Sequence, residues 1–375
     1  MDYAKKWIWQ QSEYPNFTYD KTKLDDLLLD VKYHQGVLNG IYSHINKDDL
    51  LQTQLEILTQ DALDTSAIEG ELLSRDSVRS SISKRLGIDI EANDSSTPST
   101  DGLIDILLDA TTHFKMPFSL KRLFGWHNAL FPTGYSGLVE INVASFRGDD
   151  DMEIVSGPIG REKVHYVAPP RESLEKEVDH FLAWFNNDED VSIIKAGIAH
   201  LWFVIIHPLD DGNGRIARAI TDMLLAKEAN QPLKFFSISS AIKNDRKRYY
   251  EVLEKTTSGT LDITMWLVWF LETLLASLKS AKMSIEFILQ KTAFWDRHRN
   301  TVLNERQIKV LNRLLDAESG NFEGGINTRK YVSLTKVSKP TASRELKDLL
   351  EKECIIQRAG TSGRSISYEV NTPIV

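Results

Sequence analysis

A helical repeat of apolar residues dominates this sequence. Between Lys47 and Ile68, apolar side chains recur every three or four residues, the spacing that places them on one face of an α-helix. The repeating residues are Leu51, Leu55, Leu58, Ala62 and Leu63. Gly70 then provides a stop, because glycine tolerates the left-handed backbone that ends many helices. Residues 192–206 and 213–228 are patterned in the same way, so the sequence predicts a mainly α protein.

Composition narrows the class of protein. The chain has 375 residues, of which 42% are hydrophobic and 26% charged, as in ordinary globular proteins. A single cysteine, Cys354, excludes an internal disulfide framework and favours a reducing compartment. The N-terminus lacks the features of a signal peptide, and the apolar stretch 263–278 is too short to span a bilayer. We therefore expect a cytoplasmic protein without membrane contact.

Charge is unevenly distributed along the chain, whose net charge is −8. Residues 304–375 contain twelve Lys and Arg against nine Asp and Glu, whereas residues 1–303 contain 33 against 44. Because nucleic acids are polyanions, the larger part would repel them and the C-terminal part could approach them.

One interval departs from the helical pattern. Residues 152–168 contain two short strand-like runs around Gly157, Pro158 and Gly160, which predicts a β-hairpin. A lone hairpin is marginally stable by itself. It therefore either covers part of the core or is stabilised by a ligand.

The last seventy residues predict a winged helix-turn-helix. Residues 305–316 and 330–337 are patterned as helices, and Ser338 is placed to cap a third helix, 339–353, with Pro340 in its first turn. Two strand-like runs, CIIQR and SISYEV, follow. Three helices and a two-stranded wing in this order are typical of that DNA-binding fold.

The candidate active site is the segment HPLDDGNGRIAR, residues 207–218. Gly212 and Gly214 let backbone N–H groups converge without obstruction. The helix that follows begins with unpaired donors and the positive end of its dipole. Arg215 and Arg218 lie in its first turns, where a cation is unfavourable by roughly 0.3–1 kcal/mol. Guanidinium groups at such a place favour a strong anion such as a polyphosphate.

Two more side chains of this segment are candidates for metal binding and for catalysis. Asp211, which with Asp210 supplies the carboxylates of the loop, could hold Mg²⁺. His207 is a candidate general base, with an ordinary pKa of about 6.5. Taken singly these residues have simpler explanations, since a histidine before proline is more often structural and Asp-Gly-Asn-Gly is usually a turn. The stretch GNGRIA fits a dinucleotide fingerprint only weakly, because it follows a helix pattern and not a strand.

In combination, the twelve residues resemble the signature of the Fic family, H-x-F-x-[DE]-G-N-G-R-x-x-R. The sequence departs from it at Leu209, which we expect to anchor the loop in the core as the family's phenylalanine would. Residues 143–185 resemble the family's segment with a flap hairpin, and residues 246–270 resemble its adenine-side helix and the helix after it. The N-terminal WIWQQSEYPNFTYD is similar to a domain often attached to bacterial members. The resemblance implies a Fic-type helical bundle with a small β-hairpin flap, followed here by the winged helix-turn-helix.

The resemblance also implies an activity, the transfer of AMP from ATP to Ser, Thr or Tyr hydroxyls of target proteins with release of diphosphate. His207 would deprotonate the target hydroxyl. Asp211 would bind a Mg²⁺ that bridges the α- and β-phosphates. Arg215 would hold the β-phosphate and Arg218 the γ-phosphate.

The remaining nucleotide contacts implied by the resemblance fall in three places. Gly212, Asn213 and Gly214 would form the anion hole, and Asn213 would also fix the loop. Flap and adenine-side residues would complete the site. Val164, His165 and Tyr166 on the flap would face the nucleotide and align the target as an added strand, and Tyr249 or Tyr250 would pack near adenine.

Residues 65–70, TSAIEG, resemble the family's inhibitory motif [ST]-x-x-x-E-[GN], with Thr65, Glu69 and Gly70 at its fixed positions. Glu69 ends a helix, where a carboxylate meets the negative end of the dipole and favours a partner cation. Arg218 is the natural partner, since the pair would occupy the γ-phosphate position. The alternative is an exposed glutamate before a helix-ending glycine. The resemblance implies an inhibitor in the same chain.

The predicted domains are an N-terminal helical Fic-associated domain over residues 1–100 with the inhibitory helix, a catalytic domain over 101–290, and the winged helix-turn-helix over 300–375. Residues 87–102, rich in Ser, Thr, Asp and Pro, are expected to form a mobile connection.

Three functional hypotheses follow. The first is the autoinhibited adenylyltransferase. The second is transfer of another nucleotide, or removal of AMP at the same site, with Glu69 orienting a water. The third is a nucleotide-sensing transcription regulator in which Lys339, Thr341, Ser343 and Arg344 contact DNA, although such a domain can instead dock a protein. Self-modification and a homodimer are further partnerships that the sequence leaves open.

Overall fold

The computed structural model describes residues 7–88, 94–156, 163–231, 235–315 and 324–372. The chain divides into two compact units, Met1–Ala281 and Lys282–Val375. The helices that lie within the first unit are α1 (Asp25–Tyr42), α2 (Lys47–Ile68), α3 (Arg75–Leu86), α4 (Pro98–Thr112), α5 (Leu120–Leu130), α6 (Leu174–Asn186), α7 (Ile193–Ile206), α8 (Asn213–Ala229), α9 (Ile238–Asn244) and α10 (Arg246–Thr257). Its strands are β1 (Tyr135–Ser136), β2 (Val139–Glu140), β3 (Glu153–Ser156) and β4 (Lys163–Val167).

A long helix, α11 (Thr264–Arg297), begins in the first unit and ends in the second. The second unit continues with α12 (Glu305–Leu315), α13 (Thr328–Thr335), α14 (Lys339–Glu351), β5 (Ile355–Gln357) and β6 (Tyr368–Val370). The mainly α fold class is therefore confirmed. None of the helices in the described residues is long and apolar enough to cross a membrane.

The strongest helical patterns of the sequence correspond to the helices around the candidate site. α2 has the predicted bounds, and the Asn46 side chain caps it by accepting the backbone N–H of Asp49 at 3.0 Å. α7 and α8 enclose the segment 207–212 and pack closely on each other. The apolar stretch 263–278 lies in α11, where Trp266 and Trp269 are buried.

α2 belongs to the centre of the first unit. It packs on α3, α4, α8 and α9. Asp61 accepts a hydrogen bond of 2.5 Å from Ser237, and Asp64, which is buried, accepts one of 2.6 Å from the Lys243 ammonium group. The second half of α2 is thus fixed beside α9 by polar contacts as well as by packing. The predicted domain boundaries at residues 100, 290 and 300 stay predictions.

The expectation of a mobile connection over residues 87–102 is wrong for its last part. α4 already begins at Pro98, because Thr97 caps it, with the Thr97 hydroxyl oxygen accepting the Thr100 N–H at 3.2 Å. Pro98 suits the first turn of a helix, where its missing N–H costs nothing. Residues 89–93 lie outside the described residues.

The predicted hairpin is present as β3 and β4, which pair in antiparallel register. Ile154 lies opposite Tyr166 and Val155 opposite Val164, so His165 is an extra residue in β4, a β-bulge. Gly157, Pro158 and Gly160 of the predicted turn lie outside the described residues.

The second unit has its own core, and its helices and strands follow in the predicted order. Phe294, Val310, Tyr331 and Leu346 are buried in that core, and β5 pairs with β6 in antiparallel register. The Ser338 side chain caps α14 by accepting the Thr341 N–H at 3.3 Å. The winged helix-turn-helix itself stays a prediction.

Two helical glycines give a test of how closely α4 and α5 pack. A Cβ atom at Gly102 would overlap the backbone carbonyl of Ala129, whereas one at Gly125 would meet nothing within 4 Å. We predict that Gly102→Ala lowers the free energy of unfolding by about 1–3 kcal/mol, as overpacking does. Gly125→Ala should be neutral or stabilising by up to about 1 kcal/mol, because alanine favours helix. Thermal melting of both variants checks this, and equal melting temperatures would contradict the close approach.

Candidate active site

His207 lies at the junction between α7 and the loop. It caps α7 in the left-handed conformation, with φ 49° and ψ 58°, which is a strained backbone for a residue with a side chain. Its Nδ1 lies 3.2 Å from the Val204 carbonyl oxygen. Because a carbonyl can only accept, Nδ1 carries the proton and the lone pair of a neutral ring is on Nε2. Burial lowers the pKa of His207, which favours this neutral form.

Asn213 closes the loop onto itself. Its side-chain oxygen accepts the Leu209 N–H at 3.1 Å, and its side-chain nitrogen donates to the Leu209 carbonyl at 2.7 Å. Leu209 is fully buried, so leucine anchors the loop in the core as expected from its apolar character. Both residues therefore fix the backbone of the loop.

The two aspartates of the loop have different surroundings. The Asp210 carboxylate accepts three hydrogen bonds from the preceding loop. Asn142 donates its backbone and side-chain N–H groups at 2.7 and 2.9 Å, and Gly148 donates its N–H at 3.1 Å. Asp211 accepts the Ser136 hydroxyl and is more than one-third exposed. Its carboxylate is thus partly open to solvent, as the prediction of a metal ligand requires.

Asp211 fits a Mg²⁺ ion that arrives with a nucleotide. Mg²⁺ is commonly held by one or two carboxylates together with phosphate oxygens and water. Within the described residues no group of three or more His, Cys, Asp and Glu could hold a metal ion by itself. A shared Mg²⁺ site with Asp211 as the protein ligand stays a prediction.

Arg147, which the sequence analysis did not single out, ties the loop to the flap segment. Its backbone N–H donates to the Pro208 carbonyl and its Nε to the His207 carbonyl, both at 3.0 Å. Its Nη2 donates to the Pro169 carbonyl. The side chain is buried, and burial lowers its pKa. A charged residue in a segment that resembles the family was the available signal, but only the fold reveals its carbonyl partners.

Arg218 is buried at the start of α8 and is bound by the end of α2. Its Nε donates to the Thr65 hydroxyl at 2.7 Å. Its Nη2 donates to the Thr65 carbonyl at 2.9 Å and to Glu69 Oε1 at 2.8 Å. The structure thus brings together Glu69 and Arg218, the pair that the sequence predicted, and adds Thr65, which was predicted only as a position of the inhibitory motif. Glu69 also lies against the start of α8, because a Cβ atom at Gly214 would overlap its carboxylate.

Arg215 is also occupied. Its Nη1 donates to Glu71 Oε2 at 2.8 Å, and its Nη2 lies 3.7 Å from Asp211 Oδ2. The guanidinium carbon lies 4.9 Å from the centre of the Phe131 ring. Glu71 was not among the predicted site residues, although its place directly after the inhibitory motif was a signal.

Two residues predicted to contact the nucleotide, Tyr166 and Tyr249, have side chains that face the core. Tyr166 is buried, and its hydroxyl donates to the Ile205 carbonyl at 2.8 Å, so its ring belongs to the core under the flap. Tyr249 is buried as well, with its hydroxyl 3.0 Å from His200 Nε2. Burial lowers the pKa of His200 to about 3, so this ring is neutral. Both tyrosines face inward because their hydroxyls find partners inside the protein.

The other peripheral residues remain candidates. Tyr250 is partly exposed, and its hydroxyl donates to the Ile68 carbonyl at the end of α2 at 3.3 Å. Val164 and His165 are partly exposed on β4. Glu254 on α10 holds the flap, since its two oxygens bind Lys163 Nζ at 2.7 Å and His165 Nδ1 at 2.9 Å. Their contacts with a nucleotide stay predictions.

The candidate site lies within a segment that matches a known protein family. Residues 117–225 match the Fic/DOC family, and residues 7–88 match a domain of unknown function, DUF4172. A protein adenylyltransferase Fic from Nematostella vectensis is 33% identical over 101 residues, which cover 26% of this chain and 22% of that protein. A uridine 5'-monophosphate transferase from Xanthomonas campestris pv. campestris is 26% identical over 133 residues, 31% of this chain and 22% of that protein.

A solved structure extends the likeness to the fold. A Fic family protein from Desulfovibrio desulfuricans has a TM-score of 0.50 and 18% identity, covering 92% of this chain and 95% of that chain. The matches span about a fifth of the length of the two relatives. The fold and the site define a helical protein in which the loop between α7 and α8 leads into a helix start that carries two arginines. Residues 117–225 of the chain form a segment that matches the Fic/DOC family.

Proposed function

We propose that this chain is a protein adenylyltransferase that transfers AMP from ATP to Ser, Thr or Tyr hydroxyls of other proteins. The observation that carries the proposal is the loop 207–218. A histidine with a free Nε2 lone pair precedes a helix start that has no side-chain cap and carries two arginines. The family match supports a nucleotidyltransferase, and the relatives named above are an adenylyltransferase and a uridine 5'-monophosphate transferase.

In the proposed reaction the target hydroxyl oxygen attacks the α-phosphorus of ATP. A bond forms between these atoms, the bond from the α-phosphorus to the bridging oxygen of the β-phosphate breaks, and diphosphate leaves. His207 Nε2 takes the hydroxyl proton, which requires the neutral ring that its lowered pKa favours.

The start of α8 would hold the phosphates during this step. Backbone N–H groups of residues 212–214 and the positive end of the helix dipole favour an anion there. Arg215 and Arg218 would bind the β- and γ-phosphates by charge-assisted hydrogen bonds. Mg²⁺ on Asp211 would neutralise phosphate charge.

His207→Ala should abolish transfer and leave ATP binding largely intact. The reason is that the histidine does proton chemistry while other groups hold the phosphates, and loss of a general base costs about 10²–10⁴-fold in rate. The measurement is incorporation of label from ATP labelled at the α-phosphate into proteins of a cell lysate, with ATP affinity by calorimetry. Normal labelling by the variant would eliminate this mechanism. Stronger labelling from UTP than from ATP would favour transfer of another nucleotide. Loss of AMP from modified protein would favour the reverse reaction.

The resting protein is proposed to be autoinhibited by Glu69. Its carboxylate engages Arg218 and packs on Gly214, where the γ-phosphate and the anion hole would be. ATP bound beside it would be displaced, so the α-phosphorus would not be in line with the hydroxyl. An error of about 1 Å can cost about 10²-fold in rate.

Glu69→Gly should increase AMP transfer by about 10–100-fold, because Arg218 becomes free for the γ-phosphate and the phosphate chain can align. Labelling of targets and of the protein itself measures this. The double variant Glu69→Gly with His207→Ala is the control and should be silent. If the folded, ATP-bound Glu69→Gly protein is no more active than the parent, Glu69 is not an inhibitor.

A second function, contact with DNA through α14, is favoured by the charges of the second unit. The carboxylates of α14 are engaged: Glu345 with Arg306 at 2.5 Å, Asp348 with Lys352 at 2.5 Å, and Glu351 with Lys347 at 3.4 Å. By contrast, three basic residues at its N-terminal end are exposed and have no carboxylate within ion-pair distance in the described part of the chain. They are Lys336, Lys339 and Arg344. Uncompensated cations at a helix start complement DNA phosphates.

Lys339→Glu with Arg344→Glu should remove binding of the full chain to a fluorescent mixed-sequence DNA duplex. The salt dependence of the parent should be steep, with a slope of about 0.9 per neutralised phosphate. Lys309→Glu with Arg313→Glu on α12 changes the net charge equally and should retain binding. An equal loss of DNA binding in both double variants would show that binding depends on overall charge. If the parent does not bind DNA, protein docking is left as the role of α14.

A further inference from the structure

The end of α2 directs two carboxylates, not one, at the start of α8. Gly70 has φ 87°, a left-handed conformation that turns the chain sharply. The Gly70 N–H donates to the Ala67 carbonyl at 3.1 Å, and the Glu71 N–H donates to the Ser66 carbonyl at 3.0 Å. These two bonds form a Schellman motif, which fixes the backbone of residues 69–71. The directions of both glutamates are therefore set by the helix end.

Glu71 stands at a position that usually carries an apolar residue. In a Schellman motif the residue after the glycine commonly packs on the preceding helical turn. Here it is a glutamate whose Oε2 accepts from Arg215 Nη1 at 2.8 Å. The Arg215 side chain is 8% exposed and also faces Asp211 and the Phe131 ring. The pair is thus partly shielded from water, which strengthens it relative to a surface ion pair.

We propose that Glu71 is a second inhibitory carboxylate, which blocks the β-phosphate position on Arg215 while Glu69 blocks the γ-phosphate position on Arg218. This inference rests on the proposed function, because that function assigns the two arginines to the two phosphates. Its consequence differs from that of Glu69. With Glu69 alone, ATP could still bind, but in a misaligned and unproductive position. When Glu71 occupies Arg215 as well, nucleotide binding itself is weakened in the resting state.

The effects of the two carboxylates can be distinguished by comparing the binding of ADP with that of ATP. ADP contains the β-phosphate but no γ-phosphate, so its affinity reports on Arg215. The difference between ATP and ADP reports on Arg218. Removal of Glu71 should therefore strengthen both nucleotides by a similar factor, while removal of Glu69 should strengthen ATP more than ADP.

The test is calorimetric titration of the full chain with Mg²⁺ and either ADP or ATP. Glu71→Ala should bind both nucleotides about three- to tenfold more tightly than the parent, the size expected for release of a partly screened ion pair. Glu69→Ala should strengthen ATP alone by a similar factor. Glu189→Ala, which removes an exposed charge from a short helical turn at residues 188–190, is the charge-matched control and should bind as the parent does.

Arg215→Ala makes failure of the inference distinguishable from failure of the proposed function. Suppose that Arg215→Ala weakens ADP binding, but that Glu71→Ala, shown to be folded by its melting curve, does not strengthen it. Glu71 is then a structural partner of Arg215, and its role as a second inhibitor is refuted. If Arg215→Ala binds ADP as the parent does, the assignment of Arg215 to a phosphate is wrong, and both fail. An equal gain in Glu189→Ala would refute the inference as well, since general charge would explain it.

Discussion

The buried cation at the start of α8 is the constraint on which the site depends. A guanidinium group cannot be buried at the positive end of a helix without acceptors, because both desolvation and the helix dipole oppose it. Arg218 meets this need with the hydroxyl and carbonyl of Thr65 and the carboxylate of Glu69. The end of α2 must therefore lie beside α8 whenever no anionic ligand is bound there.

This requirement explains why α2 is part of the first unit's centre. Many of its polar side chains are buried, unlike those of a surface helix. Asp61 and Asp64 are buried and bind Ser237 and Lys243 near α9, which holds the helix along its length. The contact of Glu69 with Arg218 is consequently built on a helix that is held along its length. Under the proposed function, a phosphate would replace a carboxylate by side-chain movement at residues 69 and 71.

The loop between α7 and α8 is rigid for a separate reason. Asn213 closes it internally, Asp210 binds the backbone of the preceding loop, and Arg147 binds the carbonyls of His207 and Pro169. The hydrogen bonds of these groups are directed at the scaffold and hold the loop in place. His207 Nε2, the accessible Asp211 and the helix start remain directed at the place where a ligand would bind. Structural and chemical roles are thus divided between adjacent residues of one short segment.

The sequence by itself determined the helices, because amphipathic spacing, capping residues and glycine stops are local properties, as the bounds of α2 illustrate. It also indicated the loop 207–218 and the contact between Glu69 and Arg218, since several motif positions matched together. Only the tertiary structure decided that Tyr166 and Tyr249 face the core and that Glu71 and Arg147 face the loop. The direction of a side chain depends on which distant partners satisfy it, and those partners come together only when the helices pack.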